Sequence, residues 1–215
     1  MVYHVLNRGA MTVRLFRNDT EYTAWEQAIE DALDVMPMRI CAFCWMPDHW
    51  HMVVWPRRTG ELSKFIQRVT NRHVQRLQQA RGRVGYGHIY QGRFKAFPIQ
   101  PDEHFYAVVR YVESNAVRAK FVRRAEQWPW DSLNARKSRP ESPLLSDWPL
   151  ARPARWAERV NRPLDDEELK ALRQCVQRGS PYGDERWVER TARKLGIESS
   201  IRPRGRPRIH PADGE

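Results

Sequence analysis

The sequence has few cysteines, and the three it has do not form a recognisable metal motif among 215 residues. Cys41 and Cys44 have a C-x-x-C spacing, but no second pair follows, so a zinc ribbon is unsupported. Both lie in an apolar run over residues 38–45 that predicts a β-strand. Because side chains alternate along a strand, positions three apart should face opposite sides of a sheet. We therefore interpret both cysteines as packing residues.

The sequence also lacks a long apolar run and a secretory signal. No stretch approaches the roughly 18 consecutive apolar residues that a membrane helix needs. Residues 1–5 lack the basic and apolar regions of a signal peptide. We therefore expect a soluble, cytoplasmic protein without a membrane partner.

Acidic residues are outnumbered, with 26 Asp and Glu against 37 Lys and Arg, which gives a net charge of +11. A field of this sign attracts polyanions and favours a nucleic-acid partner. The alternative is a basic soluble or ribosome-associated protein. Arginine greatly outnumbers lysine, which suits bidentate phosphate contacts, although a GC-rich genome gives the same bias. Apolar residues make up 41% of the chain, including nine Trp, so we expect a folded core.

Hydrophobic spacing predicts alternating strands and helices. Strands are predicted over residues 3–7, 38–45, 49–55 and 88–99, and helices over 20–35, 60–80 and from 101 onward. Thr20 would cap the first helix, and Pro37 would stop it. This order predicts an α+β fold, an antiparallel sheet covered by helices.

The character of the chain changes after about residue 135. We expect the main domain to span residues 1–135, and a proline-rich segment with two short helices to span 136–198. The two helices are predicted over Asp165–Arg178 and Asp184–Leu195, each followed by a glycine. Residues 199–215 would form a basic, disordered tail.

Two histidines flank one large apolar residue on the strand predicted over 49–55. The period of two sends His49 and His51 to the same face, and turns Trp50 to the opposite, packed face. Two neutral imidazoles so placed can bind one divalent ion. The alternative, two half-buried strand histidines, is the commoner one for a bare H-x-H pattern.

The sequence around this pair resembles the HUH endonuclease superfamily, and more narrowly the REP-associated tyrosine transposases. The matching segments are Tyr3–Gly9, Trp45–Val54, Arg110–Ala119, Trp128–Ser132 and Arg204–Arg208, and they occur in the same order as in that family. Two departures are visible. The family usually has several residues before the Tyr3–Val5 strand, so a contact made by that leading segment would be missing, or the true start lies upstream. The family also commonly has Asn-Pro where this sequence has Asn115-Ala116, which should alter the helix geometry there.

The resemblance implies an HUH, ferredoxin-like fold in a catalytic domain over residues 1–135. It makes Tyr111 the nucleophile and places His49, His51 and Asn115 around Mg²⁺ or Mn²⁺. A phenol is a poor nucleophile at neutral pH unless a cation or base favours its ionised form, so such a pairing is chemically sensible. Tyr111 and Asn115 would share a helix face at i and i+4. Tyr106, one turn earlier, is the competing candidate, but it has no Asn four residues later; a core aromatic is the other alternative for Tyr111.

Several basic groups are candidates for DNA contacts. Lys64, Arg68, Arg72 and Arg76 recur every four residues on the helix over 60–80, and no acidic residue occurs from 62 to 83, which favours a phosphate track over a merely solvated face. Arg118 belongs to a second basic group just after Tyr111. Arg204 and Arg206 lie in a tail segment that resembles an AT-hook, for which a solubilising role is an equal alternative.

Three functions remain open at this point. The resemblance implies a transposase-like nickase and strand transferase of hairpin-forming, single-stranded repeat DNA, acting through a 5′-phosphotyrosine as a monomer or homodimer in the nucleoid. A second hypothesis is a non-catalytic nucleic-acid-binding module of the same fold. A third is metal-dependent hydrolysis without a covalent intermediate, for which Tyr111 would be dispensable.

Overall fold

The structure, a computed structural model, describes residues 1–11, 13–85 and 87–202. The strands are β1 (Val2–Arg8), β2 (Arg39–Met46), β3 (His49–Trp55) and β4 (Lys95–Ile99). The helices are α1 (Asp19–Val35), α2 (Glu61–Ala80), α3 (Glu103–Glu113), α4 (Asn115–Arg118), α5 (Ser132–Ser138), α6 (Trp156–Asn161), α7 (Asp166–Arg178) and α8 (Glu185–Leu195), with 3-10 turns at Ala125–Gln127 and Glu198–Ser200. No helix in the described part of the chain is long and apolar enough to cross a bilayer.

The four strands form one antiparallel sheet in the order β2-β3-β1-β4. The element order β1-α1-β2-β3-α2-β4-α3 and the α+β class agree with the prediction. Both faces of the sheet are covered. On one face α1 and α2 bury a core that includes Trp25, Trp50 and Phe65. On the other, α3 and the later helices bury a core that includes Phe105, Trp156 and Leu172.

The prediction that Cys41 and Cys44 face opposite sides of the sheet is wrong. The pairing of β2 with β3 shifts register between Ile40 and Ala42, so Cys41 is an extra residue in a β-bulge. The bulge resets the alternation, and both cysteines enter the core beneath α3. Both are buried free thiols, as expected for packing residues.

Several predicted boundaries move. Helix α1 begins at Asp19 rather than Thr20, because the Asn18 side chain accepts a hydrogen bond from the Glu21 amide and caps the helix. The strand predicted over 88–99 shortens to Lys95–Ile99. Most of residues 87–94 leave the sheet and join it only through a bridge from Tyr90 to Gly9.

The proline-rich segment passes the β2 edge of the sheet, where the Ser146 amide donates to the Ile40 carbonyl at 2.9 Å, and it contributes to the cores on both faces. It contains one helix that the sequence analysis missed, α6, whose Trp156 and Val160 enter the core. Further along, α7 and α8 form where predicted, with Asp165 and Asp184 as caps. The chain after α7 also covers the β4 edge of the sheet, since the Tyr182 amide donates to the Pro98 carbonyl at 2.9 Å.

Candidate active site

The hairpin between β2 and β3 brings the histidine pair to the face of the sheet beneath α3. The strands are joined by only Pro47 and Asp48, so the alternation of β3 is fixed from its first residue. His49 and His51 point to this face, and their ring centroids lie 5.0 Å apart. Trp50 packs on the opposite face among the core residues of α1 and α2. The prediction that both histidines share one face of β3 and that Trp50 packs on the other is therefore confirmed.

The neighbouring carboxylate fixes the orientation of His49. Its Nδ1 lies 2.7 Å from Asp48 Oδ1, and Asp48 also accepts from Arg8 at 2.8 Å. These contacts, first of all the hydrogen bond from His49, hold the pKa of Asp48 well below its usual range. The carboxylate therefore accepts a hydrogen bond from His49 Nδ1–H, and in the neutral ring the other nitrogen, Nε2, carries the lone pair. That Nε2 lies 3.2 Å from the side-chain Nδ2 of Asn115.

A third histidine, which the sequence analysis did not single out, supports His51. Strand β1 pairs with β3, and His4 Nε2 lies 2.9 Å from His51 Nδ1 with the two rings nearly parallel. Burial, and then the charge of Arg118, lowers the pKa of His4 to about 3. Burial, and then the neighbouring His4, His49 and Arg118, lower the pKa of His51 well below its usual value. Both rings are therefore neutral at pH 7 and share a single proton between these two nitrogens.

The nucleophile candidate, Tyr111, lies beside His4 and His51. The Tyr111 ring of α3 meets His4 and His51 edge-on, with centroid distances of 6.0 Å and 5.9 Å. The competing Tyr106 is engaged elsewhere, because its hydroxyl donates to the Ala151 carbonyl at 2.6 Å. Of the two tyrosines, Tyr111 is therefore the one beside the histidines.

Tyr111 and Asn115 do not share one continuous helix, contrary to the prediction. Helix α3 ends at Glu113, Ser114 interrupts it, and Asn115 begins α4. Ala116, where the family commonly has proline, lies in the first turn of α4, a position that tolerates proline. The break does not separate the two residues functionally, since Asn115 still reaches His49.

Arg118 lies at the tyrosine and not in a separate basic surface. Its guanidinium stacks over the Tyr111 ring at 4.2 Å from the centroid. It also donates to the Tyr111 carbonyl and to Ser114 Oγ, both at 2.6 Å. Arg118 thus donates to the Tyr111 carbonyl at the helix break and brings a positive charge to the edge of the site.

The tyrosine helix is anchored from behind by a buried carboxyl group. Glu113 accepts from Ser132 Oγ and from Trp156 Nε1, both at 2.6 Å. Burial raises the pKa of Glu113, and burial also raises the pKa of the nearby Asp131 well above its usual value. Residues after 130 thereby fix the end of α3, two residues after the nucleophile candidate.

The donor set is compatible with a hard divalent ion. His49 and His51 provide two imidazoles, and Asn115 adds an amide whose oxygen and nitrogen can exchange places by a flip. Within residues 1–11, 13–85 and 87–202 no group of three or more His, Cys, Asp and Glu has metal-binding geometry. A complete protein cage is therefore absent from the described residues, and two imidazoles with one amide oxygen leave positions for phosphate oxygen and water.

The predicted basic stripe lies on the other side of the sheet from the histidines. Helix α2 packs on the face that holds Trp50, so the stripe does not line the site. Asp31 of α1 pairs with Arg76 at 2.7 Å and with Arg72 at 3.3 Å. Lys64 and Arg68 are exposed and have no salt-bridge partner among the described residues. Arg204 and Arg206 lie outside the described residues.

Comparisons with known proteins give the family of the chain and a similar fold. The family model of IS200-like transposases matches residues 1–115, a segment that contains both histidines, Tyr111 and Asn115. The solved structure of a REP-associated tyrosine transposase bound to a REP hairpin is similar in fold, with a TM-score of 0.54 and 19% sequence identity over 71% of this chain and 88% of that one. A crystal structure of a candidate transposase from Deinococcus radiodurans matches with a TM-score of 0.39 and 12% identity over 56% of this chain and 85% of that one. No curated protein is significantly similar to the chain.

Proposed function

Because the chain belongs to the IS200-like transposase family, we propose that it nicks and rejoins single-stranded DNA with Tyr111 as the nucleophile. The observation that carries this proposal is the position of the Tyr111 ring over His4 and His51, on the face where His49 meets Asn115. Neither a core aromatic nor a pure DNA-binding module requires a phenol, neutral imidazoles and an amide at one point.

The proposed reaction is a transesterification. The Tyr111 oxygen attacks the scissile phosphorus, the bond from phosphorus to the 3′ oxygen breaks, and the released strand takes a proton to become a 3′ hydroxyl. The 5′ phosphate remains on the tyrosine as a diester. Rejoining reverses the step with another 3′ hydroxyl, so the bond energy is conserved and no nucleotide is consumed.

His49, His51 and Asn115 would hold Mg²⁺ or Mn²⁺, the ion expected for this family type. When bound, the ion polarises the scissile phosphate and favours the ionised phenol. The role of the chain is orientation: Asp48 and His4 each engage the Nδ1 of a ligand histidine, which directs its Nε2 outward. Arg118 adds a fixed positive charge next to the tyrosine.

The proposed substrate is hairpin-forming repeat DNA, and we place the protein in the nucleoid as a monomer or homodimer. The similar transposase structure is bound to a REP hairpin. The net charge of +11 supports binding to a polyanion.

The test uses a pool of labelled single-stranded DNA with one fixed hairpin and randomised flanks, incubated with the protein and Mn²⁺ or Mg²⁺. A denaturing gel should show a covalent adduct with the wild-type protein and none with Tyr111→Phe. Tyr106→Phe is the matched control: it removes a hydroxyl five residues away that bonds the Ala151 carbonyl, and it should retain the adduct.

Other outcomes select the alternatives. Cleavage that persists in Tyr111→Phe would show hydrolysis without a covalent intermediate. Binding without cleavage by the wild-type protein would show a non-catalytic module.

A further inference from the structure

A large groove lies between α2 and residues 87–94, on the face of the sheet opposite the histidines. Its volume is about 1290 Å³, which exceeds the range of about 300–1,000 Å³ typical of small-molecule pockets. None of its described lining residues is acidic, and Arg93 is the only Lys or Arg among them. A groove of this size, without acidic residues and with one arginine, suits a nucleic-acid strand, whose bases are neutral and whose phosphates are negative. It suits a small cation or a basic peptide less well.

The α2 wall of this groove is built from uncharged side chains that can both donate and accept hydrogen bonds. Gln67, Asn71 and Gln75 follow one another at i, i+4 and i+8, so they form one row about 12 Å long. All three are exposed, and their side-chain amides have no hydrogen-bond partner among the described residues. A row of unpaired primary amides matches the edges of nucleobases, and Asn or Gln pairs most favourably with adenine.

The opposite wall adds stacking surface. Phe94 and Tyr90 both line the groove and are half-buried, with their rings held in place by the core. The Tyr90 hydroxyl is already engaged by Trp50 and His73, which leaves its ring, not its hydroxyl, for contact. Aromatic rings beside a polar wall are typical of sites for unpaired bases.

Phosphate-binding charge lies next to the amide row. Lys64 and Arg68 occupy the adjacent row of the same helix, one residue further along each turn, and both are exposed. A strand with its bases on Gln67 and Asn71 would therefore bring its phosphates to these two cations.

The groove is continuous with the end of the sheet that carries the candidate active site. The Gln91 amide donates to the Arg8 carbonyl at 2.9 Å, and Asn7 Nδ2 donates to the Gly92 carbonyl at 3.2 Å. Arg8 in turn bonds Asp48, which orients His49. The last two residues of β1 thus separate the two sites, with Asn7 on the groove side and Arg8 on the histidine side.

From this arrangement we infer that the groove binds unpaired bases of the single strand that flanks the scissile phosphate, with Gln67, Asn71 and Gln75 reading base edges. The inference rests on the proposed function, since it assumes that single-stranded DNA is the substrate. It assigns the choice of flanking sequence to α2 and the chemistry to the opposite face of the sheet.

The test measures sequence preference without cleavage, in a Tyr111→Phe background. The hairpin pool with randomised flanks is bound, recovered and sequenced, and bound fractions are measured at several salt concentrations. The parent protein should enrich adenine at one or more flanking positions. The triple variant Gln67→Ala, Asn71→Ala, Gln75→Ala should lose that enrichment by about ten-fold or more for each bidentate contact removed, with its salt dependence unchanged.

Two controls separate base reading from other effects. Gln174→Ala removes an exposed amide from α7, on the other face of the sheet, and should leave the preference intact. Lys64→Gln with Arg68→Gln should weaken binding to all sequences alike and lower the salt slope, while the adenine preference persists. Alanine at exposed helix positions favours the helix, so the triple variant should fold, and its melting curve checks this.

A parent protein without any flanking preference, or a triple variant that keeps the preference, would overturn the inference. Failure of the proposed function is a separate result, because it is measured by the adduct that Tyr111-intact protein forms on the same pool. Preference lost in the triple variant without any adduct in the wild type would support the groove and overturn the nickase.

Discussion

The Asp48 carboxylate decides which nitrogen of His49 can act as a ligand. It accepts the hydrogen bond from His49 Nδ1–H at 2.7 Å, and Nε2 then faces Asn115. His4 has the corresponding position at Nδ1 of His51. Each candidate ligand therefore depends on a partner that would not touch the ion, and changes at these partners should weaken metal use without removing a ligand.

Substitution Asp48→Asn should raise the Mn²⁺ concentration needed for half-maximal adduct formation by about 10- to 100-fold, the usual effect of losing such a partner. The amide no longer carries the charge that stabilises the Nδ1 proton of His49. A titration of adduct against Mn²⁺ measures the shift. Asp34→Asn, at an exposed position of α1, is the control; an equal shift in both variants would show that Asp48 has no specific role.

Single residues show both what the sequence can reveal and where it stops. The shared face of His49 and His51 follows from strand alternation alone. His4 lies 47 positions from its partner His51, and only the antiparallel pairing of β1 with β3 joins them. No local spacing encodes that contact, so the only sequence signal that includes His4 is a family motif.

Among the elements, α2 shows how charge on a helix depends on its neighbours. The four-residue repeat of its basic residues is evident in the sequence, but their partner on α1 is not. Asp31 neutralises Arg72 and Arg76, whereas Lys64 and Arg68 face solvent. The stripe therefore consists of two exposed cations followed by two arginines that pair with one carboxylate.

This division predicts different phenotypes along one helix. Lys64→Gln and Arg68→Gln should each lower the salt slope of single-stranded DNA binding by about 0.7, the value for one phosphate contact. Arg76→Gln should instead lower the melting temperature, because it breaks contacts with Asp31 and the Ala24 carbonyl. Binding isotherms at several salt concentrations and thermal melts decide between these roles. Salt slopes equal to that of the wild type in both Lys64→Gln and Arg68→Gln would show that these α2 cations do not contact the DNA.

The bulge in β2 and the late helices mark the limit of pattern-based prediction for elements. The inserted residue at Cys41 reverses the sheet face to which the preceding side chains of β2 should point, and nothing in the composition marks the bulge. Helix α6 has only six residues and follows a proline-rich segment, so its helical period is too short to detect. By contrast, α7 and α8 begin after Asp caps and end at glycines, so both helices can be predicted from the local sequence.

For the whole molecule, buried histidines tie stability to pH. Burial lowers the pKa of His73 to about 3, so the native state keeps it neutral while the unfolded chain protonates near 6.5. Its contribution is therefore fully present above pH 6.5 and is lost as pH falls towards 3. Glu113 and Asp131, whose pKa values burial raises, act with the opposite sign.

A comparison of wild type with His73→Leu isolates the histidine. Between about pH 5.5 and 4.5 the unfolding free energy of the wild type should fall more steeply, by about 1.4 kcal/mol per pH unit for one proton. Urea unfolding of metal-free protein at a series of pH values gives both slopes. Identical slopes would show that His73 is not neutral in the native state.

The role of the basic tail in DNA binding can be tested by deletion. Arg178 donates to the carbonyls of Ser199 and Arg202, so a deletion that respects the fold should begin at residue 203. If the arginines at 204, 206 and 208 contact phosphates, removing residues 203–215 should lower the salt slope by about two to three and weaken binding, while nicking persists. Complete loss of nicking with unchanged binding would contradict this role.

The most direct test of the central claim is to locate the DNA on the protein. The adduct formed by the wild-type protein on the hairpin pool is digested with nuclease and protease, and the nucleotide-bearing peptide is sequenced by mass spectrometry. We predict a 5′-linked nucleotide on Tyr111, in the peptide that also contains Glu113. A nucleotide on Tyr106 or another residue, or no covalent adduct under conditions where the DNA is cut, would contradict the account.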